Sequence, residues 1–116
     1  MMKVVRTNDI EAQEATSKLF RGKVSSQRVI SESEAGLRVG VVHFSPGAVN
    51  VLHTHTCNQI LYVTEGTGIV ATEGEEVTVT PGTFILIPAG EKHWHGATKD
   101  TAFSHITIMP PGETSF

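Results

Sequence analysis

The sequence contains one cysteine, Cys57, so no internal disulfide can form and a packed core must hold the fold. Such sparing use of thiols is expected of a reducing compartment, the cytoplasm. Positive charge is scarce as well. Nine Lys and Arg stand against twelve Asp and Glu, a net charge of -3, which leaves no electrostatic footprint for nucleic acid. No apolar run approaches the roughly 20 residues that span a bilayer, and Met1 to Asp9 has no apolar signal-peptide segment. A membrane partner is therefore not expected. Nucleophile-elbow, P-loop and dinucleotide-binding motifs are missing too. Helix signal is confined to Glu11–Phe20, where Ala12, Ala15 and Leu19 fall at helical spacing behind Asp9 as a cap. The expectation there is a short helix or an irregular segment.

What the sequence has in quantity is β-branched side chains: 13 Val, 8 Ile and 14 Thr, 35 of 116 residues. That bias suits pleated, half-buried surfaces. Runs of them alternate with Gly and Pro turns, which predicts strands at about 23–30, 37–44, 50–55, 59–64, 68–72, 76–80, 83–88, 93–97 and 101–109. The connections are too short for helical crossovers, so the strands are expected to pair antiparallel in an all-β sandwich or barrel. The length, 116 residues, suits a single domain over 1–116, with its barrel core at about 37–109. The Pro110–Phe116 tail is expected to be flexible.

The chemistry lies in two stretches. In the first, His53 and His55 are two apart on a predicted strand, so both imidazoles leave one face with α-carbons roughly 6.5–7 Å apart. Two rings so placed can converge on one cation at about 2.0–2.2 Å. Gln59 opens the next strand, and His93 stands at the mouth of a later hairpin; these are the candidate third and fourth ligands. Several imidazoles on an otherwise apolar face are costly to bury unless they are hydrogen-bonded or bind something.

Gly47, His53, His55 and Gly66 match the first motif of the cupins, and Gly82, Pro88, Gly90 and His93 match the second. The chain therefore resembles a small single-domain cupin, which implies a double-stranded β-helix, or jelly-roll, barrel. Two positions depart from the pattern: Gln59 replaces the usual Glu, and Ala97 the usual Asn. The His-x-His…Gln…His variant, followed by His95, is similar to a cupin subgroup that includes manganese-dependent (R)-selective hydroxynitrile lyases. That resemblance implies one divalent ion on His53, His55, Gln59 and His93, with Mn first and Fe, Ni or Zn as alternatives. It also implies reversible cleavage of a cyanohydrin.

On a continuing strand His95 faces the same side as His93, which makes it a candidate general acid or base. Alternation in the flanking strands places Gly40, Val42 and Phe44 on one face, and Phe103, His105, Thr107 and Met109 on another. A substrate pocket lined by Gly40, Val42, Phe44 and Met109 is expected, with His105 as a second catalytic candidate and Tyr62 and Trp94 adding rings. Two other functions fit the same residues, an Fe- or Ni-dependent dioxygenase and a non-catalytic metal or small-ligand binding module. The exposed first strand, with Leu37, Val39 and Val41, suggests a homodimer or higher homo-oligomer.

Overall fold

Short strands joined by turns build most of the structure, a computed structural model covering Met1–Phe116, and side-chain alternation is clearest in the long central strand. In β7 (Gln59–Gly66), Gln59, Leu61 and Val63 are buried while Ile60 faces out. Strands β1 (Gln13–Glu14), β2 (Phe20–Arg21), β3 (Val24–Ile30), β4 (Arg38–Phe44), β5 (Val49–Asn50) and β6 (Thr54–His55) precede it. After it come β8 (Gly68–Thr72), β9 (Glu76–Val79), β10 (Phe84–Ile87), β11 (His93–Ala97), β12 (Phe103–Met109) and β13 (Thr114–Ser115). They form a six-stranded sheet, β1-β3-β4-β12-β7-β10, and a five-stranded sheet, β2-β5-β11-β8-β9, with every pairing antiparallel. The arrangement is a jelly roll whose ladders do not close into a continuous barrel. A two-stranded ribbon, β13-β6, completes it. No helix is long and apolar enough to cross a membrane.

The space between the sheets is graded. Val24, Phe44, Ala48, Val63, Val70, Val79, Ala97 and Phe103 form the hydrophobic core. Further along the same inward-facing strands the buried residues turn polar: Asn50, His53, His55, Gln59, His93, His95 and His105. The register keeps the two zones apart. Phe103 lies opposite Phe44 and Gly66, His105 opposite Val42 and Val63, and Thr107 opposite Gly40 and Leu61. Phe103 also demands glycines. A Cβ on Gly68 would come within 2.5 Å of its ring, and Gly66, at φ +72°, has the Ala102 carbonyl where a side chain would go.

Several elements differ from expectation. Glu11–Phe20 is not helical; it holds β1, a bend and the start of β2, preceded by a 3-10 turn at Thr7–Asp9. Tertiary contacts override local propensity there. The Gln27 amide donates to the Thr7 and Ile10 carbonyls, both at 2.8 Å, the Ala15 N–H donates to the Val24 carbonyl, and Phe20 packs edge-on against Phe44. The one α-helix, α1 (Glu32–Ala35), forms instead where the Ser31 N–H donates to the Glu34 carboxylate and Gly36 ends the turn at φ +71°. The expected strand at 50–55 is broken into β5 and β6. The Pro110–Phe116 tail is docked, with Thr114 opposite His55 and Ser115 opposite Thr54.

The apolar set proposed as a contact face is only partly exposed. Leu37 is 42% exposed, but Val41 is buried at 8% and Val39 is half-buried. Exposed apolar surface is larger on β10, at Phe84 and Leu86.

Since Phe103 is fully buried against Phe44 and Gly68, Phe103→Ala is expected to lower the unfolding free energy by about 3–5 kcal/mol. Urea denaturation checks this, and a loss below about 1 kcal/mol would mean that the ring is not the keystone of the core.

Candidate metal centre

Main-chain pairing positions the first two imidazoles. The His53 N–H donates to the His93 carbonyl and the His93 N–H to the His53 carbonyl, each at 2.9 Å, a reciprocal bridge outside the longer strands. It sets the two rings 4.1 Å apart, centroid to centroid. His55 is placed from both sides, because its carbonyl accepts from the Gly90 N–H at 2.9 Å while β13 runs alongside. Its ring lies 4.8 Å from that of His53 and 5.2 Å from that of His93. One ring nitrogen from each of the three falls within 4.8 Å of the others.

The outward-facing nitrogen of each ring is engaged. Nδ1 of His53 donates to the Val51 carbonyl at 2.6 Å, and Nδ1 of His93 to the Glu91 carbonyl at 2.9 Å. A carbonyl can only accept, so these contacts put the proton on Nδ1 and the lone pair on Nε2. Nδ1 of His55 meets the Thr114 hydroxyl at 2.8 Å. Nε2 of His55, Nε2 of His93 and Oε1 of Gln59 are buried with no hydrogen-bond partner. The Gln59 amide nitrogen donates to the Thr107 hydroxyl at 2.9 Å, with the Met109 sulfur 3.9 Å away, which frees the carbonyl oxygen. That carboxamide lies near enough to His55 to favour its charged form, yet closes no hydrogen bond with it.

Buried acceptors without donors, on rings oriented through their far nitrogens, are the arrangement that metal-binding histidines adopt. Three imidazoles and a carboxamide oxygen fit a first-row divalent ion. His53, His55 and His93 would hold it, with Gln59 as a fourth donor. Cys57 is a small buried residue outside this group.

Beside the centre lies a second pair. His95 and His105 face each other at 4.9 Å, and the His95 ring is 5.8 Å from that of His93. Asn50 fixes His95: its Oδ1 accepts the His95 backbone N–H at 2.7 Å, and its amide nitrogen lies 3.3 Å from Nε2 and 3.4 Å from Nδ1 of the ring. Both nitrogens of His105 lack partners. Phe44 packs against both rings, at 5.8 and 5.6 Å.

Burial holds all five imidazoles neutral at pH 7 by penalising the charged form. Desolvation, helped by neighbouring histidines, lowers His53 to about 4 and His55 to about 4. Desolvation also takes His105 to about 4, lowers His93, and lowers His95 well below the ordinary value.

The structure therefore brings the four ligand candidates together, with both catalytic candidates alongside. The pocket-wall candidates are distributed differently. Val42 and Phe44 pack in or against the core and Met109 against Gln59, while Gly40 pairs with Thr107. Tyr62 faces outward and packs on Phe84, ring centroids 4.4 Å apart and tilted by 42°. A cavity of about 290 Å³ opens between β9 and β10, walled by Val70, Val77, Val79, Ile85 and Ile87, and reaches His93. A second opening, bordered by Leu52, Lys92, Ser115 and Phe116, meets His53. His43 is satisfied on both nitrogens, by Ser104 and Gln27 at 2.8 Å. Asn50 and Thr114 are site residues that sequence reasoning missed, whereas strand alternation already put Thr107 on one face with His105 and Met109.

A jelly roll with a three-histidine centre inside it is the form of a metal-binding cupin. The match to the family model for the cupin domain covers residues 40–109, and the chain belongs to the cupin family. It is 35% identical over 110 residues to an (R)-mandelonitrile lyase of Granulicella tundricola, covering 93% of this chain and 84% of that one. Among solved structures, it resembles a cupin-like protein of Thermotoga maritima with 31% identity and a TM-score of 0.83, covering 90% and 86% of the two chains. A polyketide cyclase of Streptomyces resistomycificus shares the fold at TM-score 0.86 and 22% identity, covering 100% of this chain and 87% of that one.

The depressed histidines have a consequence for stability. Between about 6.5 and about 4, the unfolded chain takes up protons that folded His53, His55 and His105 do not. Stability of the metal-free protein is therefore expected to fall as pH drops through that window and to level off above it. Urea midpoints of chelator-treated protein from pH 7.5 to pH 4.5 report this; a flat profile would contradict neutral burial.

Proposed function

We propose that this cupin is a metal-dependent lyase for small hydroxy or carbonyl compounds, of the type that splits a cyanohydrin into an aldehyde and cyanide. The observation carrying this reading is the juxtaposition of a neutral ligand set with a second histidine pair in which both nitrogens of His105 lack partners. Manganese is the first candidate ion, and a divalent ion held here supplies Lewis acidity toward a substrate oxygen. No carboxylate offsets its charge in the proposed ligand set.

The residues of the chain carry the proton. Neutral His105 offers a lone pair, with no competing partner, for the substrate hydroxyl proton. As the carbon–carbon bond breaks, its electron pair leaves with cyanide and the oxygen becomes the aldehyde carbonyl. Burial makes an imidazolium at His105 short-lived, so the proton passes to cyanide and the resting state returns. His95, fixed by Asn50, orients the leaving group. Phe44 keeps water from both rings. The likeness to the Granulicella lyase supports the choice of reaction.

The test is elemental analysis of protein purified without added metal, followed by assay of aldehyde and cyanide release with the ion found. One divalent ion per chain and release of cyanide are expected. His93→Ala should lose the ion, whereas His105→Ala should keep it and slow turnover by roughly 10²–10⁴-fold. A fully loaded chain that releases no cyanide from aryl or alkyl cyanohydrins would overturn the lyase reading, and oxygen consumption with a diketone would replace it with a dioxygenase.

A further inference from the structure

His55 differs from the other two histidines of the centre in what holds its far nitrogen. His53 and His93 donate to main-chain carbonyls two residues away in their own loops, at Val51 and Glu91. His55 relies on a side chain 59 residues distant, the Thr114 hydroxyl on β13. A hydroxyl both donates and accepts. If Thr114 accepts from Nδ1–H, the His55 lone pair lies on Nε2, facing the centre. If Thr114 donates to Nδ1, the proton lies on Nε2 and blocks it.

The tail bearing Thr114 is itself held by the ligand loop. The Thr56 N–H donates to the Glu113 carbonyl at 2.9 Å, and the Glu113 N–H donates to the Thr56 hydroxyl at 2.9 Å. Gly112 fits flush against Cys57, where a Cβ would come within 2.7 Å of the sulfur. Its terminal residues, Ser115 and Phe116, border the opening that meets His53.

We infer that Thr114 is a positioning residue for the metal ligand His55, and that docking of the 112–116 tail and occupancy of the centre are energetically coupled. The inference rests on the three-histidine centre being a metal site and deepens that reading. An ion on Nε2 selects the Nδ1–H form, which needs Thr114 as acceptor. The docked tail in turn favours the ligand-competent form, and linkage requires the two effects to be equal.

The experiment titrates Mn²⁺ into metal-free full-length protein against a competing chelator, for the parent, Thr114→Val and Thr114→Ser. Thr114→Val is expected to bind roughly 10–100-fold more weakly, the usual scale for losing an outer-sphere partner. Thr114→Ser, which keeps the hydroxyl, should recover most of the parent affinity. The rise in Tm on adding Mn²⁺ should shrink in Thr114→Val while the Tm of the metal-free form changes little. A merely structural residue would lower the metal-free Tm and leave affinity alone. Hydrogen exchange at the Thr56 and Glu113 amides of the parent should slow when Mn²⁺ is added. Equal affinity of Thr114→Val and the parent, Thr114→Ser as weak as Thr114→Val, or tail exchange indifferent to Mn²⁺ would each overturn the coupling while leaving the metal site standing. A parent chain that takes up no Mn²⁺ would overturn both.

Discussion

Imidazole nitrogens buried without partners are the constraint around which the interior is organised. Leaving such a group unsatisfied typically costs about 1–3 kcal/mol, and His55, His93 and His105 contribute four such atoms between them, with Oε1 of Gln59 a fifth. The hydrophobic core offsets this with Phe44, Phe103 and Val63, each at most 1% exposed. Neither zone is independent of the other. Phe44 touches Phe103 in the core and the rings of His95 and His105 in the site, and Phe103 itself meets His105 edge-on at 5.5 Å, so the core bears directly on the second histidine pair.

Preorganisation follows from how the ligands are mounted. His53 and His93 are paired through their own backbones, and their tautomers are set by nearby carbonyls. An ion entering this centre finds those lone pairs already aimed, and little order has to be bought at binding. His55 and Gln59 are oriented by hydroxyls, Thr114 and Thr107, which accept or donate. The centre thus combines two candidate ligands fixed by the main chain with two whose orientation depends on strands β12 and β13.

Much of this was legible in the residues. The alternation of β7 follows directly from its β-branched and aromatic pattern, and the H-x-H spacing placed two imidazoles on one face. The ends of the chain were less legible, for a physical reason. Ala12, Ala15 and Leu19 have helical spacing, but the isolated segment could not reveal that Gln27 would capture the carbonyls of Thr7 and Ile10. Ser31, Glu34 and Gly36, by contrast, carry a helix start and stop five residues apart that could have been read. The tail has no periodicity at all. Its order comes from pairing with Thr54–His55, a contact decided by the fold and not by local sequence. Asn50 was hidden in the same way, since its value lies in facing His95 across β5 and β11.

The replacement of Glu by Gln at position 59 bears on more than affinity. With a carboxylate there, the ligand set would carry a negative charge and the field of a bound ion would be partly cancelled. With Gln59 it is not, and the field acts in a dry interior. Two unit charges 5 Å apart interact by about 3 kcal/mol at an effective dielectric constant near 20, against about 0.8 kcal/mol in water. His95 sits 5.8 Å from His93, ring to ring. A dication among the ligands would therefore add to the desolvation that already opposes its protonation. Occupancy and burial push the second histidine pair in the same direction, toward neutral bases. A neutral ligand set and a neutral base pair are consequences of one environment: the lone pairs stay free at pH 7, and a proton taken up by either ring is readily passed on.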